Sequence, residues 1–174
     1  MYSIAGIGSR ETPSDVLVEM TKIGEWCKEI NFTLRSGHAD GADWAFEIGA
    51  QENCTAYLPW NGFNKHLVSK ADWVVYERNP ETVALARKYH PAYDRLSFGA
   101  KKLMERNVWQ VLGPTLNNKV AVIVCWTKGG KGEGGTGQAL RVARGYNIPV
   151  IDFGKDPSLK YWDVVCTIKT MMSF

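Results

Sequence analysis

Three times along this chain an apolar run of strand length empties into a glycine-bearing turn and then into a helical pattern. Residues 2–6 lead into Gly6-Ile7-Gly8-Ser9-Arg10, residues 32–34 into Ser36-Gly37-His38-Ala39-Asp40-Gly41, and residues 120–126 into the glycine-rich stretch 129–137. Strands that alternate with helices pair in parallel and are covered on both faces, because each crossover lays a helix against the sheet. The expected fold is therefore α/β, a Rossmann-like three-layer sandwich around a mostly parallel central sheet. In such sheets the turns that follow the strands share one rim, and ligands bind there where the chain changes direction. All three glycine turns fall on that rim.

Length and composition fit one domain. At 174 residues and 45% apolar content the chain can bury a full core, and a single domain over residues 1–174 is expected. The net charge of +3 tolerates nucleotides or nucleic acid without demanding a polyanion. The four cysteines show no CxxC spacing and read as buried reduced thiols. No apolar segment reaches bilayer-spanning length and Ser9-Arg10-Glu11 interrupts the N-terminal apolar run, so a soluble cytoplasmic protein is expected, with no membrane partner.

Helices are expected from Thr12 onward, with Thr12 as cap and Pro13 in the first position, over 42–50, 96–112, 135–146 and in the tail 159–172. Residues 59–93 break the rhythm. They mix Trp60, Phe63, Trp73, Tyr76 and Tyr89 with lysines, arginines and histidines, hold one short helix at 80–89, and read as an aromatic-basic insertion. A packed excursion with a solvated basic face and a surface that stacks on nucleotides both fit that composition.

The turns suggest anion chemistry. Gly8 permits close approach, Ser9 offers a hydroxyl, and Arg10 can fork onto an oxyanion. The motif lacks the third glycine of the dinucleotide fingerprint, which disfavours an ordinary NAD dehydrogenase. Ser36 and Gly37 are expected to contact a ligand, while Asp40 and Asp43 hold their turn, cap the helix or bind a ribose hydroxyl. His38, Asp40 and Asp43 match no established metal spacing, so no metal is expected, and no cofactor. Arg106 lies close to the buried stripe formed by Met104, Val108, Val111 and Leu112, where an arginine needs an anionic partner. The glycines after Trp126 open into a helix whose first amides are free to meet a phosphate.

Together these residues resemble the SLOG superfamily, which groups the Rossmann-like domain of the DNA-processing protein DprA with the LOG phosphoribohydrolases. Gly6-Ile7-Gly8-Ser9-Arg10 with Pro13 is similar to the DprA opening, and Ser36-Gly37-His38-Ala39-Asp40-Gly41-Ala42-Asp43 to its SGxAxGxD pattern. Leu103-Met104-Glu105-Arg106-Asn107 resembles the LOG segment that carries a catalytic arginine. Gly134-Gly135-Thr136-Gly137-Gln138-Ala139-Leu140 is similar to the phosphate turn of the superfamily. The catalytic glutamate of LOG enzymes, three residues after the threonine, is matched here by Ala139; Glu133 precedes the threonine and does not replace it residue for residue.

The resemblance implies a stand-alone phage or bacterial protein that binds an ADP-ribose-like, NAD-related or cyclic-nucleotide signal as a sensor or sponge. Gly8, Ser9, Gly134, Gly135 and Thr136 are then expected to cradle phosphate, with Arg10, Lys128 and Arg106 neutralising it. Ser36, Gly37 and Asp43 would hold a ribose, Trp60 or Phe63 would cover a base, and Asn107 and Gln138 would complete the site. A LOG-like hydrolase using Arg106 and Glu133 on an N-glycosidic bond is the first alternative, and a DprA-like single-stranded DNA binder the second. Association as a homo-dimer or larger homo-oligomer is also implied.

Overall fold

The computed structural model describes residues 2–173. Six strands form one sheet: β1 (Ser3–Gly6), β2 (Thr33–Ser36), β3 (Cys54–Leu58), β4 (Asp72–Val75), β5 (Ile123–Cys125) and β6 (Val150–Asp152). All neighbours pair in parallel, in the order β4-β3-β2-β1-β5-β6. The helices are α1 (Ser14–Glu29), α2 (Ala42–Ala50), α3 (Pro80–Tyr89), α4 (Phe98–Leu112), α5 (Gly134–Gly145) and α6 (Tyr161–Met172).

The strand period divides the core. Ile4, Leu34, Val122 and Val124 project toward α1, α2 and α6, with Met20, Ile23, Phe46, Val165 and Ile168 in the same cluster. Ala5, Ile7, Ile123 and Cys125 project the other way, toward Ala86 of α3, Val108 and Leu112 of α4, and Leu140 and Val142 of α5. Neighbouring residues on a strand thus serve opposite faces, which is the three-layer sandwich read from the sequence.

Several local expectations change. Residues 59–93 are not wholly an insertion, because Asp72–Val75 is the edge strand of the sheet and pairs with β3 from Thr55↔Asp72 to Leu58↔Val75. Its side chains are mostly exposed, so it lacks the apolar run by which the other strands declare themselves. Thr12 does not cap α1: its hydroxyl donates to Ser9 O at 2.6 Å, and the helix begins at Ser14 after Pro13 without a side-chain cap. Of the cysteines, Cys27, Cys54 and Cys125 are buried free thiols, but Cys166 is exposed on α6. No helix among the described residues is long and apolar enough to cross a membrane.

Candidate functional site

From β1 the chain steps outward to β2, β3 and β4, then crosses back to β5 and β6 on the other side of β1. The direction reverses between β1 and β5. Beyond the carboxyl ends of those two strands the departing loops diverge and leave a crevice. A cleft of about 420 Å³ lies there, lined by the turn after β1 (Ile7 to Glu11), by Ala39, Asp43 and Phe63, by α4 (Leu103, Met104, Arg106, Asn107, Gln110) and by the start of α5 (Glu133 to Thr136, with Ala139). Of the residues singled out in the sequence, Gly8, Ser9, Arg10, Asp43, Phe63, Arg106, Asn107, Glu133, Gly134, Gly135 and Thr136 meet in this one space.

Their roles divide differently from expectation. Asp43, in the first turn of α2, accepts from Gly8 N–H at 3.1 Å and from Gly37 N–H at 2.9 Å. One carboxylate therefore ties the turns after β1 and β2 together, and both its oxygens are engaged by the protein. The amide of Ser9 donates to Trp126 O at 3.2 Å. Neither Gly8 N–H nor Ser9 N–H is free for phosphate, which corrects the expected cradle at that turn. Gly8 is required for a different reason: a Cβ there would stand 2.7 Å from Cβ of Ala42, so the glycine lets α2 approach β1.

Arg106 is buried too, at 5% exposure. It donates through Nη1 to Gly37 O and to Tyr57 O, the latter at 2.7 Å, and through Nε to Asn107 Oδ1 at 3.0 Å. Its partners are thus carbonyls and the nearby charge of Asp43, where the sequence reading expected a bound anion. Burial pushes its pKa down to about 10, against the pull of Asp43 and Glu47; the positive charge of Arg10 adds to the depression. Burial likewise raises Asp43 from 3.8 to about 7, opposed by Arg106 and by backbone N–H groups. Nη2 of Arg106 makes no hydrogen bond within the described protein.

The mouth of the cleft is built from β5, β6 and α5. Asp152 at the end of β6 accepts from the Thr127 amide at 2.9 Å and from its hydroxyl, and the same hydroxyl accepts from Gly132 N–H at 3.0 Å. This chain of bonds shapes the glycine loop and presents the start of α5. Helix α5 has no side-chain cap, so the amides of its first turn lack an intrahelical acceptor. Asn107 Nδ2 pins this turn by donating to Gly135 O at 2.9 Å. Arg10 is exposed at the same mouth and forms no ion pair or hydrogen bond within the described protein.

Five expected residues lie outside the cleft lining. Lys128 is exposed and lies 3.8 Å from Glu11. Gln138 is fully buried, donating to Ala86 O and accepting from Arg141, a packing role between α3 and α5. Trp60 stands half-exposed with its ring edge-on to Phe63, while Phe63 itself lies under the Arg106 guanidinium. Gly37 is closed over by Asp43 and Arg106. Ser36 donates to Glu47 at 2.6 Å and is sealed from solvent.

That serine belongs to a buried group the sequence did not announce. Glu47 also accepts from Ser69 and pairs with His38 Nδ1 at 2.8 Å, and His38 stacks obliquely beside Trp73. Burial opposes the charge on His38, but Glu47 prevails and raises its pKa above 6.5. Asp40 instead faces His66 at 3.6 Å, so His38, Asp40 and Asp43 point into three different environments.

Both Asp43 and His38 hold protons more tightly in the folded state than in the unfolded chain. A state that binds more protons than its unfolded reference loses stability as pH rises. The Asp43 contribution declines from about pH 4 to about pH 7, and that of His38 as pH climbs beyond 6.5. Thermal melts are expected to give a higher Tm at pH 5 than at pH 8, with the difference reduced in His38→Gln and in Asp43→Asn. An equal slope in wild type and both variants would assign the pH dependence elsewhere.

The sheet order, the reversal beside β1 and the cleft above it define a doubly wound, Rossmann-like α/β protein with a cleft at the switch point. No protein-family model matches the chain, and no curated protein matches it in sequence. In three dimensions it is similar to DNA processing protein A from Helicobacter pylori, a single-stranded DNA binder, with a TM-score of 0.65 and 14% identity over 99% of this chain and 80% of that one. It is similar as well to the Moco carrier protein of Chlamydomonas reinhardtii, with a TM-score of 0.62 and 14% identity over 100% of this chain and 99% of the other. At such identities the likeness is one of fold.

Proposed function

We propose that this is a SLOG-type domain whose cleft binds a nucleotide-derived small molecule, with the phosphate at the start of α5 and the remainder of the ligand directed inward. A sensor or sponge for an ADP-ribose-like, NAD-related or cyclic-nucleotide signal is the function that follows. One observation carries the reading: the uncapped first turn of α5 and the unpaired guanidinium of Arg10 open on the same mouth. Helix N-termini attract anions through their free N–H groups and dipole, and a guanidinium forks onto phosphate. The neighbours of similar fold, a single-stranded DNA binder and a cofactor carrier, are compatible with a phosphate-bearing ligand.

Arg10 is the informative residue to change, because it supports no internal contact. Arg10→Ala is expected to weaken binding of AMP or ADP-ribose, measured by calorimetry, about tenfold or more while leaving Tm within about 1 °C of wild type. Mass spectrometry of small molecules released from heat-denatured protein, with its 260 nm absorbance, identifies the natural occupant. Failure of AMP, ADP-ribose and NAD to bind would sink the small-molecule reading. Tight binding of a single-stranded oligonucleotide that collapses with salt would transfer the cleft to DNA. Release of free adenine from AMP, lost in Glu133→Gln, would make the protein a hydrolase.

A further inference from the structure

The cleft is graded from mouth to floor. Glu133, Gly134, Gly135 and Arg10 are exposed, whereas Asp43, Arg106, Asn107 and Gln110 keep 4%, 5%, 6% and 2% of their surface. Three of these floor residues make hydrogen bonds within the protein, with Nη2 of Arg106 left over. Asp43 takes two amides, Arg106 serves two carbonyls and Asn107, and Asn107 reaches Gly135 O. Gln110 differs. Its side-chain amide makes no hydrogen bond to any described residue, although it is the most buried of the four. It is not sealed away either: among the described residues the side-chain nitrogen or oxygen that is both fully enclosed and unpartnered is His38 Nε2. The Gln110 amide therefore touches the open space of the cleft, lying over Gly37 beside Arg106 Nη1.

A buried amide without a partner is costly, and a ligand that supplies one recovers that cost on binding. The amide carries both a donor and an acceptor and no charge. What it matches is a neutral edge bearing an acceptor next to a donor, the pattern along the hydrogen-bonding edge of a nucleobase. At the floor the charges of Asp43 and Arg106 offset one another and the Gln110 amide is neutral, so a phosphate finds its attraction at the mouth, where α5 and Arg10 stand. Phe63, Leu103 and Met104 provide apolar wall for a flat ring between the two ends.

We infer that Gln110 is the specificity-determining residue of the cleft: it hydrogen-bonds the edge of a nucleobase inserted to the floor, with the ligand phosphate left at the mouth. This rests on the phosphate-at-α5 reading above and adds the orientation of the ligand and the group that selects it. A site built around a buried hydrogen-bonding group rejects analogues that leave the group unpaired.

Calorimetry with AMP, GMP, CMP, UMP and ribose 5-phosphate separates the two claims, since ribose 5-phosphate keeps the phosphate and sugar and lacks the base. The tightest nucleotide is expected to bind about tenfold or more above ribose 5-phosphate, and Gln110→Met to abolish that advantage while changing ribose 5-phosphate affinity less than about twofold. Nucleotides no tighter than ribose 5-phosphate, or an advantage that survives Gln110→Met, would overturn the role of Gln110 and leave the phosphate site standing. If neither ribose 5-phosphate nor any nucleotide binds, the phosphate site itself is wrong. Should the variant not fold, wild-type protein with benzimidazole riboside 5′-phosphate, a purine shape without the polar edge, gives the same comparison: affinity at the ribose 5-phosphate level supports the inference, and affinity equal to the purine nucleotides overturns it.

Discussion

Replacing Gly49 with alanine is expected to lower Tm by roughly 5–10 °C. A Cβ at that position would stand 2.0 Å from Thr21 O and 3.0 Å from Cα of Gly24, both backbone atoms of α1. Side chains can swing aside, but two helix backbones cannot, so α1 and α2 have to separate. The contact is reciprocal: a Cβ on Gly24 would meet Phe46 O at 2.4 Å. Separation also strains the bond from the Thr21 hydroxyl to Ala45 O, now 3.1 Å, and loosens the cluster holding Met20, Ile23 and Phe46. Overpacking of this kind costs about 1–3 kcal/mol and occasionally more, and a protein of this size loses about 2–4 °C per kcal/mol. Gly99→Ala is the control. It lies in α4 with no atom within 4 Å of the new methyl, and relief of glycine's backbone freedom there is expected to stabilise by about 0.5–1 kcal/mol. Equal melting of Gly49→Ala and wild type would refute the close crossing of the two helices.

The same glycines mark what the sequence displays and what it conceals. Alternating apolar runs and helical stripes foretold the layers, because burial on two faces leaves an uninterrupted apolar strand, and Ile4, Leu34 and Val124 are such positions. Asp72–Val75 escaped notice since an edge strand half open to water needs no such run. At the cleft, the glycine turns told where the chain bends at the rim, but a turn motif does not reveal which amides remain free. Gly8 N–H and Gly37 N–H looked like ligand donors until Asp43, six residues past Gly37 but far along the chain from Gly8, proved to occupy both. The sequence could not place Gln110 either. It sits four residues past Arg106 on α4, one helical turn further along the same face, and that spacing was the available signal.

Arg106→Met is the second large effect, and it redraws how any loss of function at this residue is to be read. Arginine here replaces water for the carbonyls of Gly37 and Tyr57, and its charge compensates the buried Asp43. Methionine fills much of the volume and satisfies neither. Two buried carbonyls left without their donor cost about 1–3 kcal/mol each, and Asp43 loses the nearby positive charge that favours its ionised form. A Tm fall of roughly 10 °C is expected. Adding Asp43→Asn to the variant removes the stranded carboxylate, and the double variant is expected to be more stable than the sum of the single losses by about 1–3 kcal/mol. Strict additivity, or a wild-type Tm for Arg106→Met, would mean that the guanidinium belongs to the ligand alone. With the coupling present, lost binding or activity in an Arg106 variant reports a collapsed junction between β2, β3 and α4 as readily as a missing ligand contact. Arg10, free of internal partners, separates the two causes: Arg10→Ala changes affinity at constant Tm, whereas Arg106→Met moves both together.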